Sequence, residues 1–424
     1  MTTSEPEVEK LPRERPKRRL PRPSEILPLV KFRPPRFDAR ERRLAHAHTI
    51  EDLRTLARRR TPRSVFDYVD GAAEQEISIG RARRAFEDIE FHPRVLRDVS
   101  RVDASADVLG ARTALPLVLA PTGFTRMMHH EGEIAVARAA ARAGIPYALS
   151  TMGTTDLESV RACAPTARQW FQLYLWKDRE ASEALIERAA KAGYEALVLT
   201  VDTPVGGARM RDIRNGLTIP PTLTLRTLAG MAMRPAWWLN ILTTEPLRFA
   251  SLSSFDGTVA ELAGRMFDPS VTVEDLRWLR ERWPGKLVVK GVQSIEDART
   301  LVDHGVEAIV LSNHGGRQLD RAPTPLELLP RVVDAVGHDC EILIDTGVRT
   351  GADLLAARAL GASAAMVGRP YLYGLMAAGE QGVDRAIEIF GTEYARTMRL
   401  LGVASTDELS AQHASLRRTM GERL

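Results

Sequence analysis

His314 and Arg317, three residues apart in the run Ser312-Asn313-His314-Gly315-Gly316-Arg317-Gln318-Leu319-Asp320, are the residues of this chain best equipped for chemistry. An imidazole can accept a proton near neutral pH, and a guanidinium can grip a carboxylate through two parallel hydrogen bonds. Held on one loop, the pair suits the oxidation of a hydroxy acid. The run follows Ala308 to Leu311, an apolar segment that reads as a buried strand, which places both side chains at the mouth of a fold. A Gly-rich turn with a solvated arginine would carry the same residues without any chemistry. The elements around the run decide between the two.

Short apolar runs of strand character occur at Pro116 to Ala120, Tyr147 to Ser150, Arg168 to Tyr174, Ala196 to Asp202, Leu287 to Lys290, Ala308 to Ser312, Glu341 to Asp345 and Ala364 to Gly368. Helical stretches such as Glu131 to Ala143, Ala181 to Ala192, Ile295 to His304, Leu326 to Val336 and Gly351 to Leu360 separate them, several closing at glycine. This rhythm predicts an α/β fold, a (β/α)8 TIM barrel, with an N-terminal helical extension beginning at Thr49 and a long loop after strand four. The doubly wound alternative needs a GxGxxG turn after its first strand, and that turn here reads Ala120-Pro121-Thr122-Gly123-Phe124-Thr125.

A barrel gathers its chemistry at the C-terminal ends of its strands. Those ends carry Pro121, Thr122 and Gly123, then Ser150, Gln172 and Tyr174, Thr200 and Asp202, Lys290, and Ser312 with His314. The last two strands end in Asp345-Thr346-Gly347-Val348-Arg349 and Gly368-Arg369, where glycine, arginine and a helix start make a phosphate cradle. Lys290 reads as a buried ammonium, expensive unless an anion meets it, and a reduced flavin would supply that anion. Gln172, Thr200 and Ser150 could hydrogen-bond the rest of a heteroaromatic ring, and Gly123 lets a ring face approach the backbone.

Composition narrows the class further. With 424 residues, 44% hydrophobic, the chain can bury a large core. Cys163 and Cys340 stand far apart without metal-ligand spacing, so neither a disulfide framework nor a zinc site is indicated and a reducing cytoplasm is expected. No apolar run approaches the roughly 18 residues of a membrane span. The net charge is only +4, yet basic residues crowd into Lys10 to Arg19 and prolines recur to Pro35, so residues 1–36 are expected to form a flexible or extended basic arm ahead of a barrel unit over 37–424. No aromatic residue interleaves those cations, and nucleic acid is not the expected partner.

In their order along the chain, these motifs, with Phe66-Asp67-Tyr68, Glu131-Gly132-Glu133, Phe171-Gln172-Leu173-Tyr174, Thr200-Val201-Asp202-Thr203-Pro204 and Lys290-Gly291, resemble the FMN-dependent α-hydroxy acid dehydrogenases and oxidases. The resemblance runs from about Phe37 to His413 and is strongest to the bacterial L-lactate dehydrogenase branch, which passes electrons to quinone or cytochrome. It implies FMN as cofactor, His314 as base with Asp202 on its other ring nitrogen, and Lys290 stabilising the reduced flavin. It further implies Arg317, Tyr68, Tyr174 and Arg209 around the substrate, and Pro121, Thr122, Gly123, Ser150, Gln172, Thr200, Lys290, Ser312, Asp345, Gly347, Arg349, Gly368 and Arg369 around the cofactor. L-lactate oxidised to pyruvate, a quinone or other non-oxygen acceptor and a homotetramer follow from the same resemblance. Hydride and carbanion routes need the same charges, and both stay open.

Five features depart from the family pattern or stand outside it. Thr346 replaces a glycine, Ser150-Thr151-Met152 replaces an aromatic-containing segment, and Gly123 stands where oxidases often carry alanine, as in the dehydrogenase branch. The long loop holds Met231-Ala232-Met233-Arg234-Pro235-Ala236-Trp237-Trp238-Leu239, whose tryptophans pack onto protein or meet a membrane surface at the inner face of the cell. His129-His130 finds no acidic or cysteine partner at ligand spacing, so no metal is expected. The rival readings are a peroxide-forming oxidase, a non-redox phosphate-binding isomerase or lyase, and a flavin-free binding protein.

Overall fold

The computed structural model describes residues 19–30, 38–216, 232–247, 249–250 and 267–417. All eight expected strands are present and close into one parallel barrel: β1 Leu117–Leu119, β2 Tyr147–Ser150, β3 Gln169–Leu173, β4 Ala196–Thr200, β5 Lys286–Val292, β6 Ala308–Leu311, β7 Glu341–Ile344 and β8 Ala364–Val367. The chain belongs to the TIM-barrel class. β8 closes on β1 with Ala365 opposite Leu117 and Val367 opposite Leu119. Strand ends differ from expectation by one or two residues; Asp202, Ser312, Asp345 and Gly368 lie past the ladders, in the turns that build the rim.

Alternation along each strand fills two layers. Val118, Ala148, Trp170, Val198, Val288, Val310, Leu343 and Met366 form the barrel interior, while their neighbours, such as Leu117, Leu149, Phe171, Leu197, Val289 and Ile309, pack under the helices. A hairpin of Ala106–Val108 with Ala111–Thr113 adds Val108 and Leu109 to the interior cluster.

The N-terminal extension contributes helices Ile50–Arg60, Arg63–Asp70 and Ile77–Glu87. Thr49 and Asp52 cap the first reciprocally, as their spacing foretold. Within the arm, residues 19–30 are not extended throughout: Pro23–Ile26 and Leu27–Leu29 make short exposed helical turns, and residues 1–18 and 31–37 lie outside the described residues. In the long loop, helix Pro235–Leu242 is described, while 217–231, 248 and 251–266 are not.

Asp70 fastens the extension to the barrel. Its carboxylate accepts from Arg54 Nε at 2.5 Å, from Tyr373 Oη at 2.8 Å and from Arg211 Nη1 at 3.1 Å. Burial alone would raise this carboxyl, but the bonds and charges of Arg54, Tyr373 and Arg211 outweigh it and hold it at about 2. A depressed carboxyl stabilises the fold fully above its unfolded value, near 3.9, and loses that contribution as pH falls towards about 2. Asp70→Asn is therefore expected to cost roughly 2 to 3 kcal/mol at neutral pH, the contribution of the buried, depressed carboxylate, while the part-exposed Arg54 and Arg211 keep Glu51 and Glu76 as partners. It should also remove roughly 2 to 3 kcal/mol of the stability lost between about pH 5 and pH 2; urea unfolding at several pH values checks both.

Candidate active site

At the barrel's C-terminal end the interior face changes character within one strand period. Ala148 gives way to Ser150, Trp170 to Gln172, Val198 to Thr200, Val288 to Lys290, Val310 to Ser312, Leu343 to Asp345 and Met366 to Gly368. The polar layer floors a cavity of about 240 Å³. Every residue expected around substrate or cofactor lines it except Asp202 and Ser312, which stand behind His314 and Lys290.

His314 sits on a tight turn with φ of 58° at His314, 66° at Gly315 and 72° at Gly316. Three successive left-handed residues are costly for side chains, which is why glycines follow the histidine. Asn313 accepts from Gly316 N at 3.0 Å to close the turn. Asp202 Oδ1 lies 2.9 Å from His314 Nδ1; an ionised carboxylate there puts the proton on Nδ1 and leaves Nε2 free as an acceptor. Burial pushes the Asp202 carboxyl up, but the charge and hydrogen bond of His314, with Lys290 beyond, bring it below its usual value. Its Oδ2 is buried without a hydrogen-bond partner among the described residues.

Lys290 requires a correction. Its ammonium does not await an anion from a cofactor, because Asp345 Oδ2 stands 3.0 Å away and Ser312 Oγ accepts at 2.9 Å. Burial lowers the ammonium's pKa, yet Asp345 and Asp202 more than offset it and leave the value raised. Asp345 is thus first a partner of Lys290. Thr346 Oγ1 donates to Asp345 Oδ1 at 2.7 Å and accepts from Gly315 N at 3.0 Å.

Across the cavity, the Arg317 guanidinium lies 4.7 Å from the Tyr68 ring centroid and that of Arg209 lies 5.6 Å from it. Arg317 Nη1 donates to the carbonyls of Tyr68 and Gly71, while its Nε and Nη2 donate to no described residue. Burial, then the charge of Arg209, lowers Arg317 to about 10, so it remains protonated at neutral pH. Tyr174 is buried, which raises its phenol, and its ring meets Phe267 edge-on.

Gly347, Arg349, Gly368 and Arg369, the expected phosphate cradle, line one part of the same cavity. Gly347 has φ 98° and a Cβ there would come within 2.8 Å of Ala82 O. The helix after β7 is already capped, since Asp353 accepts from Arg349 N and Thr350 N, whereas the helix beginning at Arg369 has no side-chain cap. Arg369 is partly engaged, donating to Val69 O at 2.8 Å and Gly71 O at 2.7 Å. Arg349 meets Glu51 at 3.7 Å.

Other residues at the cavity went unread in the sequence. Arg83, on helix Ile77–Glu87, donates to Gly347 O at 3.0 Å and Asp353 Oδ2 at 2.6 Å; lying ahead of the barrel, it escaped a reading of strand ends. Phe249 and Phe267 supply apolar wall beside Met152, whose segment the sequence had already marked as a departure from the family pattern. Asp320 closes the His314 motif structurally, accepting from Ser78 N at 2.8 Å at the start of helix Ile77–Glu87. The histidine pair also needs correcting: Glu131 does stand beside it, with ligand atoms of all three within 4.8 Å. Both Glu131 oxygens are engaged, by Arg40 at 2.7 Å and Glu380 N at 2.7 Å.

Two buried polar atoms at the cavity, Gln172 Nε2 and Thr200 Oγ1, have no partner among the described residues, and an unsatisfied buried polar group calls for one. With Lys290 beside them and glycine and arginine at the other end, the residues fit a flat polar ring carrying a phosphate. The model of FMN-dependent dehydrogenases matches residues 57–416. A Mycobacterium tuberculosis protein provisionally named an L-lactate dehydrogenase is 58% identical over 95% of this chain and 98% of its own. An L-lactate dehydrogenase of Caulobacter vibrioides is 43% identical over 83% of this chain and 93% of its own. The crystal structure of the monotopic membrane protein (S)-mandelate dehydrogenase superposes with a TM-score of 0.84 at 38% identity, covering 88% of this chain and all of that one.

The chain belongs to the FMN-dependent dehydrogenase family. FMN is its cofactor and its reaction is the oxidation of a 2-hydroxy acid.

Gly291 makes the His314–Asp202 contact geometrically feasible. Its φ is 110°, and an added Cβ would lie 2.7 Å from Asp202 Cβ and 2.8 Å from Cγ. Gly291→Ala is expected to displace Asp202 from His314 and lower kcat by roughly 10²-fold, the scale of a misplaced catalytic group, with FMN retained. Steady-state kinetics beside the flavin spectrum checks it.

Proposed function

We propose that the chain oxidises L-lactate to pyruvate and passes the electrons to a quinone or another non-oxygen acceptor at a membrane surface. The observation that carries this reading is the pair of arginines, Arg317 and Arg209, on Tyr68, facing the same cavity as the base pair His314–Asp202. Arg317 grips the substrate carboxylate through its free donors, with Arg209 and Tyr68 beside it and Tyr174 on the hydroxyl side. His314 Nε2 takes the substrate proton. Asp202 fixes the ring through Nδ1 and stabilises the imidazolium that results. FMN, when bound, would supply the acceptor for the two electrons. Lys290 offsets the negative charge that arrives with them, and Ser312 holds Lys290 in place. Gln172 Nε2, Thr200 Oγ1 and Ser150 would hold the FMN ring, with Pro121, Thr122 and Gly123 beside them, and Arg349, Arg369, Gly347 and Gly368 would receive its phosphate.

Met152, Phe249 and Phe267 on the cavity wall favour a second reading, a larger apolar 2-hydroxy acid such as mandelate. Anaerobic bleaching by a panel of L-2-hydroxy acids separates the two. His314→Ala is expected to keep FMN but to lose flavin reduction by roughly 10² to 10⁴, the usual range for removing a general base. Near-normal anaerobic bleaching in that variant would sink the assignment.

Two features support the acceptor. Gly123 stands where family oxidases often carry alanine, and Met152 packs so closely that a Cβ there would lie 2.9 Å from Met152 Cβ. Helix Pro235–Leu242 is anchored by Trp237 Nε1 donating to Met127 O at 3.0 Å, and Met233, Leu239 and Leu242 around it are exposed. No helix among the described residues is long and apolar enough to cross a membrane, so contact here would be peripheral. Lactate-reduced protein is expected to reoxidise slowly in air and quickly with a quinone analogue. Rapid stoichiometric peroxide formation would instead make it an oxidase.

A further inference from the structure

Thr346 is buried at the cavity with φ 69°, in the left-handed region that glycine enters freely and a β-branched residue rarely adopts. Such a conformation persists where the surroundings hold it, and it points to a task for the side chain. The hydroxyl is held from both sides. Its proton goes to Asp345 Oδ1 at 2.7 Å, and it receives Gly315 N at 3.0 Å. Asp345 Oδ2 in turn holds the Lys290 ammonium at 3.0 Å, and Gly315 follows His314 in its turn.

We propose that Thr346 is a positioning residue whose hydroxyl ties the Lys290–Asp345 pair to the His314 turn and so sets the positive charge Lys290 presents to the cofactor. The inference rests on the functional reading in which Lys290 faces FMN. Asp345 shares its negative charge between two hydrogen-bond donors. Without the hydroxyl, Oδ1 has no other partner among the described residues, and the carboxylate's charge falls more heavily on Lys290. Lys290 then offsets less of the charge that accompanies reduction. Gly315 N loses its acceptor at the same time, which loosens the turn carrying the base.

The test uses FMN-loaded full-length protein with Thr346→Gly, Thr346→Ser and Thr346→Val, reading the flavin midpoint potential by redox titration and thermal unfolding of the apoprotein. Gly relieves the left-handed backbone, so its apoprotein should unfold no lower than the parent. Its reduction equilibrium should nevertheless weaken about tenfold, equivalent to a two-electron potential about 30 mV lower. Val should show the same fall with a less stable apoprotein. Ser, which keeps the hydroxyl, should restore the parental potential. A parental potential in the Gly variant, or a Ser variant as low as Gly, overturns the inference. Lys290→Met is measured alongside. If it lowers the potential while Thr346→Gly does not, only the role of Thr346 fails; if it leaves the potential unchanged, the role given to Lys290 fails and this inference with it.

Discussion

A lysine ammonium buried at the mouth of a barrel must meet an anion, and much of this site follows from where that anion stands. Lys290 on β5 reaches Asp345, just past β7, at 3.0 Å, and Ser312, just past β6, lies between the two strands and accepts from the same ammonium. Three consecutive strands are thereby locked in register at their polar ends. Ser312 also accepts from His314 N at 2.9 Å, so the residue that steadies the ammonium helps to seat the base. Removing either charge alone would strand the other in a buried site, a loss on the order of 3 to 5 kcal/mol. Charge balance here is a structural requirement before it is a catalytic one.

How legible this was depends on the distance over which each relation acts. The barrel and its polar ring were readable because side chains alternate at a period of two, so Val198 followed by Thr200, or Val288 by Lys290, marks the height at which the interior turns polar. The partnership of Asp202 and His314, 112 residues apart, came only through family resemblance, since no local pattern links two rim residues on different strands. The anion for Lys290 was sought in the cofactor because Asp345 could be read only as part of a phosphate turn. Thr346 was noticed as a departure from glycine, but its left-handed backbone and its two hydrogen bonds belong to a tertiary arrangement. Arg83 was missed for the same reason, its partner Asp353 lying far away in sequence, whereas Glu131, which directly follows the histidine pair, was read only as part of another motif.

The N-terminal extension is part of the site. Helix Arg63–Asp70 ends beside the cavity, and a helix end leaves carbonyls without intrahelical partners. Here arginines fill them: Arg317 donates to the carbonyls of Tyr68 and Gly71, and Arg369 to those of Val69 and Gly71. The side chain of Asp70, at the same helix end, is held by Arg54, Arg211 and Tyr373. The clamp that secures the extension therefore also fixes the carbonyls on which two cavity arginines rest.

That choice of partner has an electrostatic consequence. The carbonyl end of a helix carries only about half an elementary negative charge, spread over several oxygens. It can orient Arg317 and Arg369 and lower the cost of burying them, but it cannot neutralise them as a carboxylate would. Burial and the neighbouring Arg209 charge lower Arg317 to about 10, the direction expected of a cation still short of a full counter-charge. Lys290, by contrast, has a complete carboxylate partner and its value is raised. The two cations are thus prepared for different tasks. One is balanced in advance by a carboxylate, while the other is held in place by carbonyls and lacks a full counter-charge among the described residues.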